Sequence, residues 1–241
     1  MNRTDPHTGT VIDEVAAGLY RISTPVTIPG SEFSFNQYLL VDDAPLLFHT
    51  GPRKLFASVR AAVARVLPPE RLRYVGFSHV EADECGSLND WLAAAPQAEP
   101  LCSNVAAMVS VNDLADRPAR ALVDGERLDL GTHRVRWFDA PHLPHGWECG
   151  YLMDETAGTL FCGDLFTQGG ATHAPLTTSD ILAPSEAFRR VMDYYAHAPQ
   201  SRATLEQLAV AQPATLACMH GSAWQGDGAA LLRALADALA A

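Results

Sequence analysis

The run FSHVEADECGSLNDW, residues 77–91, places four side chains able to ligate a metal within six residues: His79, Glu81, Asp83 and Glu84. One imidazole beside three carboxylates is an oxygen-rich donor set, the kind that suits hard, highly charged ions. Alternate side chains of an extended loop point the same way, so His79 and Glu81 can serve one ion. Asp83, with Glu84 as a further donor, can serve a second ion a few ångströms away. This run alone completes neither shell.

Three later segments offer the missing donors: APHLPHG with His142, FCGDLF with Asp164 and CMHGSAW with His220. A carboxylate such as Asp164 can bridge two ions through its two oxygens. His79, His142, Asp164 and His220 each follow an apolar run that reads as a strand. In sheet-based α/β proteins, ligands gather on loops at strand ends, where a rigid scaffold holds them. Four such loops converging would build one polyvalent site.

The elements that must position these loops are legible from periodicity. GLYRIST (18–24), QYLLVDD (37–43) and PLLFHTG (45–51) read as strands, with DDAP as the turn between the last two. RKLFASVRAAVARVL (53–67) has helical spacing and is ended by Pro68-Pro69. YVGFSH (74–79) is a buried strand, and SLNDWLAAA (87–95) a helix with Ser87 as its N-cap. HRVRWFDAP (133–141) is a strand, and the 148–164 segment a hairpin around DETAG. Helices follow over 185–198 and 201–211, then a strand over 214–221 and a closing amphipathic helix. Segment 27–40, TIPGSEFSFNQYLL, is polar and marked by Gly and Pro. It reads as a loop over the site, with Phe33 and Phe35 as an apolar wall and Trp224 as a second one.

Composition narrows the function classes. The chain has 241 residues, 48% of them hydrophobic, without repeat or composition break, which predicts a single domain over 1–241. A net charge of −11 with no Lys/Arg run argues against nucleic acid or an anionic membrane as partner. No apolar run approaches the roughly 20 residues that span a bilayer, and the N-terminus lacks the apolar core of a signal peptide. Five cysteines without a CxxC pair fit reduced thiols, so a cytoplasmic location is expected.

The order of the four ligand segments resembles the metallo-β-lactamase superfamily, an α/β fold built as a four-layer αβ/βα sandwich with a dinuclear site between its sheets. Hydrolases of that fold carry H-x-H-x-D-H in the first loop, where this chain reads H-V-E-A-D-E. The glutamate at the third position is similar to flavodiiron proteins and stand-alone oxygen-binding diiron proteins, whose motif is H-x-E-x-D-H. The resemblance covers roughly Gly18 to Trp224. It implies two iron ions, one held by His79, Glu81 and His142 and the other by Asp83 and His220, with Asp164 bridging. Within PHLPH it selects His142, for the spacing H-L-P, and leaves His145 behind a ligand or lining the pocket. Glu84 stands where the family usually has histidine. It either ligates the second iron or leaves a position open, and ligation is the reading taken here. An exposed acid in a helical first turn is the plainer alternative. His49 stands in a turn where relatives often have Asp.

The charge balance favours iron over zinc, with manganese also compatible. Four carboxylates offset the charge of two divalent ions and stabilise the more oxidised metal. A hydrolytic zinc site keeps fewer, so that its water stays acidic. The expected function is therefore an oxidoreductase that binds and reduces or activates O2, or NO. A diiron oxygenase of a small organic substrate, a dinuclear hydrolase of an ester, lactone or thioester, and a non-catalytic protein with a vestigial site are the rivals. The sequence ends soon after His220, so no flavin is expected in this chain. A separate electron-donor protein is expected, and a homodimer is compatible.

Overall fold

The computed structural model describes residues 4–28 and 30–240, so Pro29 of the 27–40 segment and the first three residues of the N-terminal run lie outside them. Among the described residues, fourteen strands form two seven-stranded mixed sheets. The first holds β1 (Val11–Ala16), β2 (Leu19–Ile28), β3 (Ser31–Leu40), β4 (Leu46–Phe48), β5 (Tyr74–Gly76), β6 (Glu99–Ser103) and β7 (Arg120–Leu122), in that order. The second contains β8 (Arg127–Asp129), β9 (Arg134–Asp139), β10 (Gly150–Asp154), β11 (Thr159–Phe161), β12 (Leu176–Thr177), β13 (Thr215–Ala217) and β14 (Ala223–Gln225). Its order is β12-β14-β13-β11-β10-β9-β8.

The period of two in each strand assigns its faces. Tyr38, Leu40, Leu46 and Phe48 point between the sheets, where they meet Trp137, Leu152, Phe161 and Ala217 of the second sheet. Leu39, Leu47 and Val75 point the other way, onto Val59 and Val63 of the helix Phe56–Val63 and Trp91 of the helix Leu88–Ala94. The second sheet is covered on its outer face by the helices Ser201–Val210 and Gly228–Ala240, through Leu205, Leu208, Leu232 and Leu235. Helix, sheet, sheet and helix make the four layers expected, and each fully buried Leu or Phe contributes about 1.5–3 kcal/mol. Trp137 is fully buried between the sheets, its indole N–H donating to Asp139 Oδ1 at 2.8 Å.

Three local expectations are corrected. The 27–40 segment is not a loop: β2 and β3 pair as a long hairpin from Leu19↔Leu40 to Ile28↔Ser31. Phe33 and Phe35 alternate with Ser34 and Asn36 along it, which is strand periodicity within a polar composition. The helix expected over 185–198 is Leu182–Met192, and Asp193 ends it in the left-handed region at φ +47°. Ser87 stands at the N-cap of Leu88–Ala94 as expected but makes no side-chain cap bond; its hydroxyl donates instead toward the Gly51 and Pro52 carbonyls.

Candidate metal centre

Four strand ends converge. β5 runs into His79, β9 into the loop bearing His142 and His145, β11 into Asp164 and β13 into His220. After β5 the chain bends over residues 78–80, is extended at Glu81 (φ −139°, ψ 158°) and turns helical at Ala82–Cys85, so Asp83 and Glu84 point differently from His79 and Glu81.

His79, Glu81, His145 and Asp164 form one compact group, with one donor atom from each within 4.8 Å of all the others. His79 Nε2 lies 2.9 Å from His145 Nε2 and 2.9 Å from Glu81 Oε2. His145 Nε2 lies 3.0 Å from Glu81 Oε2 and 3.6 Å from Asp164 Oδ2. Donors that share an ion at about 2.0–2.2 Å stand about 3–4 Å apart, so this group has the span of a first metal position. A second group centres on His220, whose Nε2 is 3.3 Å from Asp83 Oδ2 and 3.2 Å from Asp164 Oδ1. Asp164 thus turns one oxygen toward each group, the arrangement of a bridging carboxylate.

Backbone carbonyls set two of the three imidazoles. His145 Nδ1 donates to Tyr194 O at 2.8 Å and His220 Nδ1 to Ser34 O at 2.9 Å. A carbonyl only accepts, so each Nδ1 carries hydrogen and each Nε2 keeps a lone pair for the centre. Asp164 Oδ1 is buried without a hydrogen-bond partner. Lone pairs facing one another and an orphaned carboxylate oxygen are what a cation would satisfy, so these residues fit metal ions.

Among the polypeptide's own groups, protons take that role. Burial opposes charge on His220, but Asp164 and Asp83 outweigh it and push the imidazole up to about 10. Hydrogen bonds from His145 and His79 draw Glu81 down to about 2. A divalent ion would compete with protons for these lone pairs.

Two expected ligands lie elsewhere. His142 is exposed at φ +63°, its backbone N–H donating to Gly146 O, because the neighbouring Leu143 is the residue that the turn buries. His145, three residues on, takes the place expected of His142. Glu84 is fully buried, with Oε2 2.9 Å from Ser78 Oγ and 2.5 Å from His49 Nε2. Its other oxygen is 4.0 Å from His79 Nδ1, the ring edge turned away from the centre.

The Phe33 and Phe35 rings lie 4.4 and 5.4 Å from the His220 ring, and Phe188 stacks on Phe33 at 5.5 Å. Trp224 instead packs into the core on the helix side of the second sheet. Sequence reasoning missed Tyr194, whose carbonyl is freed by the early end of the helix Leu182–Met192. It also missed Ser78, whose only signal is its place before His79.

Residues 33–221 match the ODP family beta lactamase. The chain belongs to that family. Among relatives, the rubredoxin-oxygen oxidoreductase of Megalodesulfovibrio gigas is 27% identical over 204 residues, covering 80% of this chain and 50% of that protein. A putative diflavin flavoprotein A 1 of Nostoc sp. is 29% identical over 208 residues, 80% of this chain and 35% of the relative. This chain therefore spans half or less of the length of these relatives. The fold of the family is shared with fragment 1–254 of putative diflavin flavoprotein A 5 from Nostoc sp., at TM-score 0.83, 17% identity and coverage of 96% and 95%. It is shared also with rubredoxin oxygen:oxidoreductase from Desulfovibrio gigas, at TM-score 0.79 and 21% identity, covering 94% of this chain and 61% of that one. Among the described residues no helix is long and apolar enough to cross a membrane.

Proposed function

We propose that this chain is a non-haem diiron oxidoreductase domain that reduces or activates O2 or NO. The observation that carries the reading is the bridging disposition of Asp164, between His79, Glu81 and His145 on one side and Asp83 and His220 on the other. Two iron ions held there would supply electrons to a bound diatomic molecule. Glu81, Asp83 and Asp164 are the anionic donors; Glu84 adds its charge from behind His79 rather than as a ligand. The Phe33, Phe35 and Phe188 rings keep water from the His220 side.

The relative named for rubredoxin and oxygen supports a separate electron-donor protein for this chain as well. Anaerobic loading with ferrous iron, followed by O2 and NO titration with a reductant present, tests the reading. Two irons per chain and consumption of either gas are expected. A protein that takes two zinc ions and refuses iron would overturn it.

A second reading, oxygenation of a small organic molecule, is favoured by a cavity of about 410 Å³ beside Glu81, lined by Val80, Leu88, Val111 and Leu114 with Arg53 and Asp90. A diatomic gas needs far less room, a liquid water molecule filling about 30 Å³. Substrate-dependent O2 uptake with an oxygenated product would select this reading.

A further inference from the structure

His145 and His220 each have their Nδ1 hydrogen committed to a backbone carbonyl, and His79 does not. Its Nδ1 lies 3.0 Å from the Ser78 hydroxyl, a group that can donate or accept. The direction is fixed one step further out. Ser78 Oγ is also 2.9 Å from Glu84 Oε2, and a carboxylate only accepts, so the single hydroxyl hydrogen goes to Glu84. Toward His79 the hydroxyl must then accept. His79 therefore carries its hydrogen on Nδ1 and presents a lone pair at Nε2, where Glu81, His145 and Asp164 converge.

The surroundings hold this chain of contacts in place. Glu84, Ser78 and His49 are buried at 0%, 2% and 0% exposure, so water does not substitute for any link. His49 Nε2 lies 2.5 Å from Glu84 Oε2 at the far end. Gly163, at φ +47°, backs the hydroxyl so closely that a Cβ there would stand 2.7 Å from Ser78 Oγ. Glu84 occupies this position at the cost of the second group, which keeps Asp83, Asp164 and His220.

We infer that Glu84 is a positioning residue for the first metal position, acting through Ser78 on the tautomer of His79, and that the second position has three protein ligands. The inference rests on the reading of His79, Glu81, His145 and Asp164 as a metal position. Outer hydrogen-bond partners of ligating histidines typically carry about 10- to 100-fold in metal affinity.

Cobalt(II) titration of the full chain, followed by absorption and by proton NMR of hyperfine-shifted imidazole N–H resonances, separates the possibilities. The wild-type protein is expected to take two cobalt ions in two steps, the second weaker. Ser78→Ala and Glu84→Ala should weaken the first step by about 10- to 100-fold and leave the second in place. The His79 N–H resonance should then be lost to exchange. Glu84→Gln, with its amide oxygen where Oε2 stands, keeps one acceptor facing both Ser78 and His49, so the first step and the resonance should return close to wild type. If Glu84→Ala and Glu84→Gln both abolish the second step with the first unchanged, Glu84 is a ligand and the inference is wrong. It is equally wrong if Ser78→Ala, a small change that removes no ligand, leaves the first step and the resonance untouched. Failure of the wild-type chain to bind cobalt at all would instead overturn the metal reading beneath it.

Discussion

The Nε2 atoms of His79 and His145 stand 2.9 Å apart, their rings nearly perpendicular at 89°. The Nδ1 atoms face outward, onto Ser78 and Tyr194. Two imidazoles so held can both offer lone pairs only to something between them. His145→Ala should therefore reduce first-position metal affinity by more than the roughly 100-fold that losing an outer partner costs. His142→Ala should bind metal as the wild type does. Metal content after gel filtration checks both variants, and equal loss in the two would reject the assignment.

Asp164 turns an oxygen to each group, so Asp164→Ala should affect both metal positions. Stoichiometry by elemental analysis is expected to fall from two to one or none. Retention of two ions at unchanged affinity would show that the carboxylate does not bridge.

His220 links pH to stability in the metal-free protein. Its folded pKa, about 10, lies above its ordinary value of 6.5. The stability it contributes is thus fully present below pH 6.5 and is lost as pH rises through 10. Denaturant midpoints of metal-free protein should fall over that window, and His220→Gln should flatten the slope. An unchanged slope in the variant would assign the effect to other groups.

Chelation should lower the melting temperature. An ion that binds only the folded chain stabilises it by about 2.7 kcal/mol at 100 times its dissociation constant. Scanning calorimetry with and without a chelator measures this, and identical transitions would mean that the folded protein carried no ion.

Gly150 has no room for a side chain: a Cβ would lie 2.2 Å from Trp137 Cζ2 and 2.8 Å from the Phe138 carbonyl. Gly150→Ala should cost about 1–3 kcal/mol or more through overpacking of the inter-sheet core. Urea unfolding followed by tryptophan fluorescence gives the value.

Much of this architecture was legible because Tyr38–Leu40 and Leu46–Phe48 are short unbroken apolar runs, buried on both faces, and because His79, Asp164 and His220 each trail an apolar strand. What failed was side-chain direction inside loops. His142 and His145 are the same residue type in one loop, and only the burial of Leu143 decides which of them faces inward. Glu84 and Asp83 are neighbours in one helical turn, and the turn sends one to His220 and the other to His49. The β2–β3 hairpin was obscured by its Ser, Thr and Asn residues, of which the buried Asn36 serves the loop that follows β13. Asn36 Nδ2 donates to the Cys218 and Gly221 carbonyls, and Tyr38 Oη to Cys218 O.

Those last bonds join residues 180 or more positions apart, Tyr38 to Cys218 and Asn36 to Gly221. His220 lies between the two carbonyls so gripped, and it is the last donor of the centre to leave the ribosome. A nascent chain displaying His79, Glu81, His145 and Asp164 would still lack the strand that completes the second group. Completion of the second group is therefore a late event in the life of the chain, after synthesis has passed Gly221.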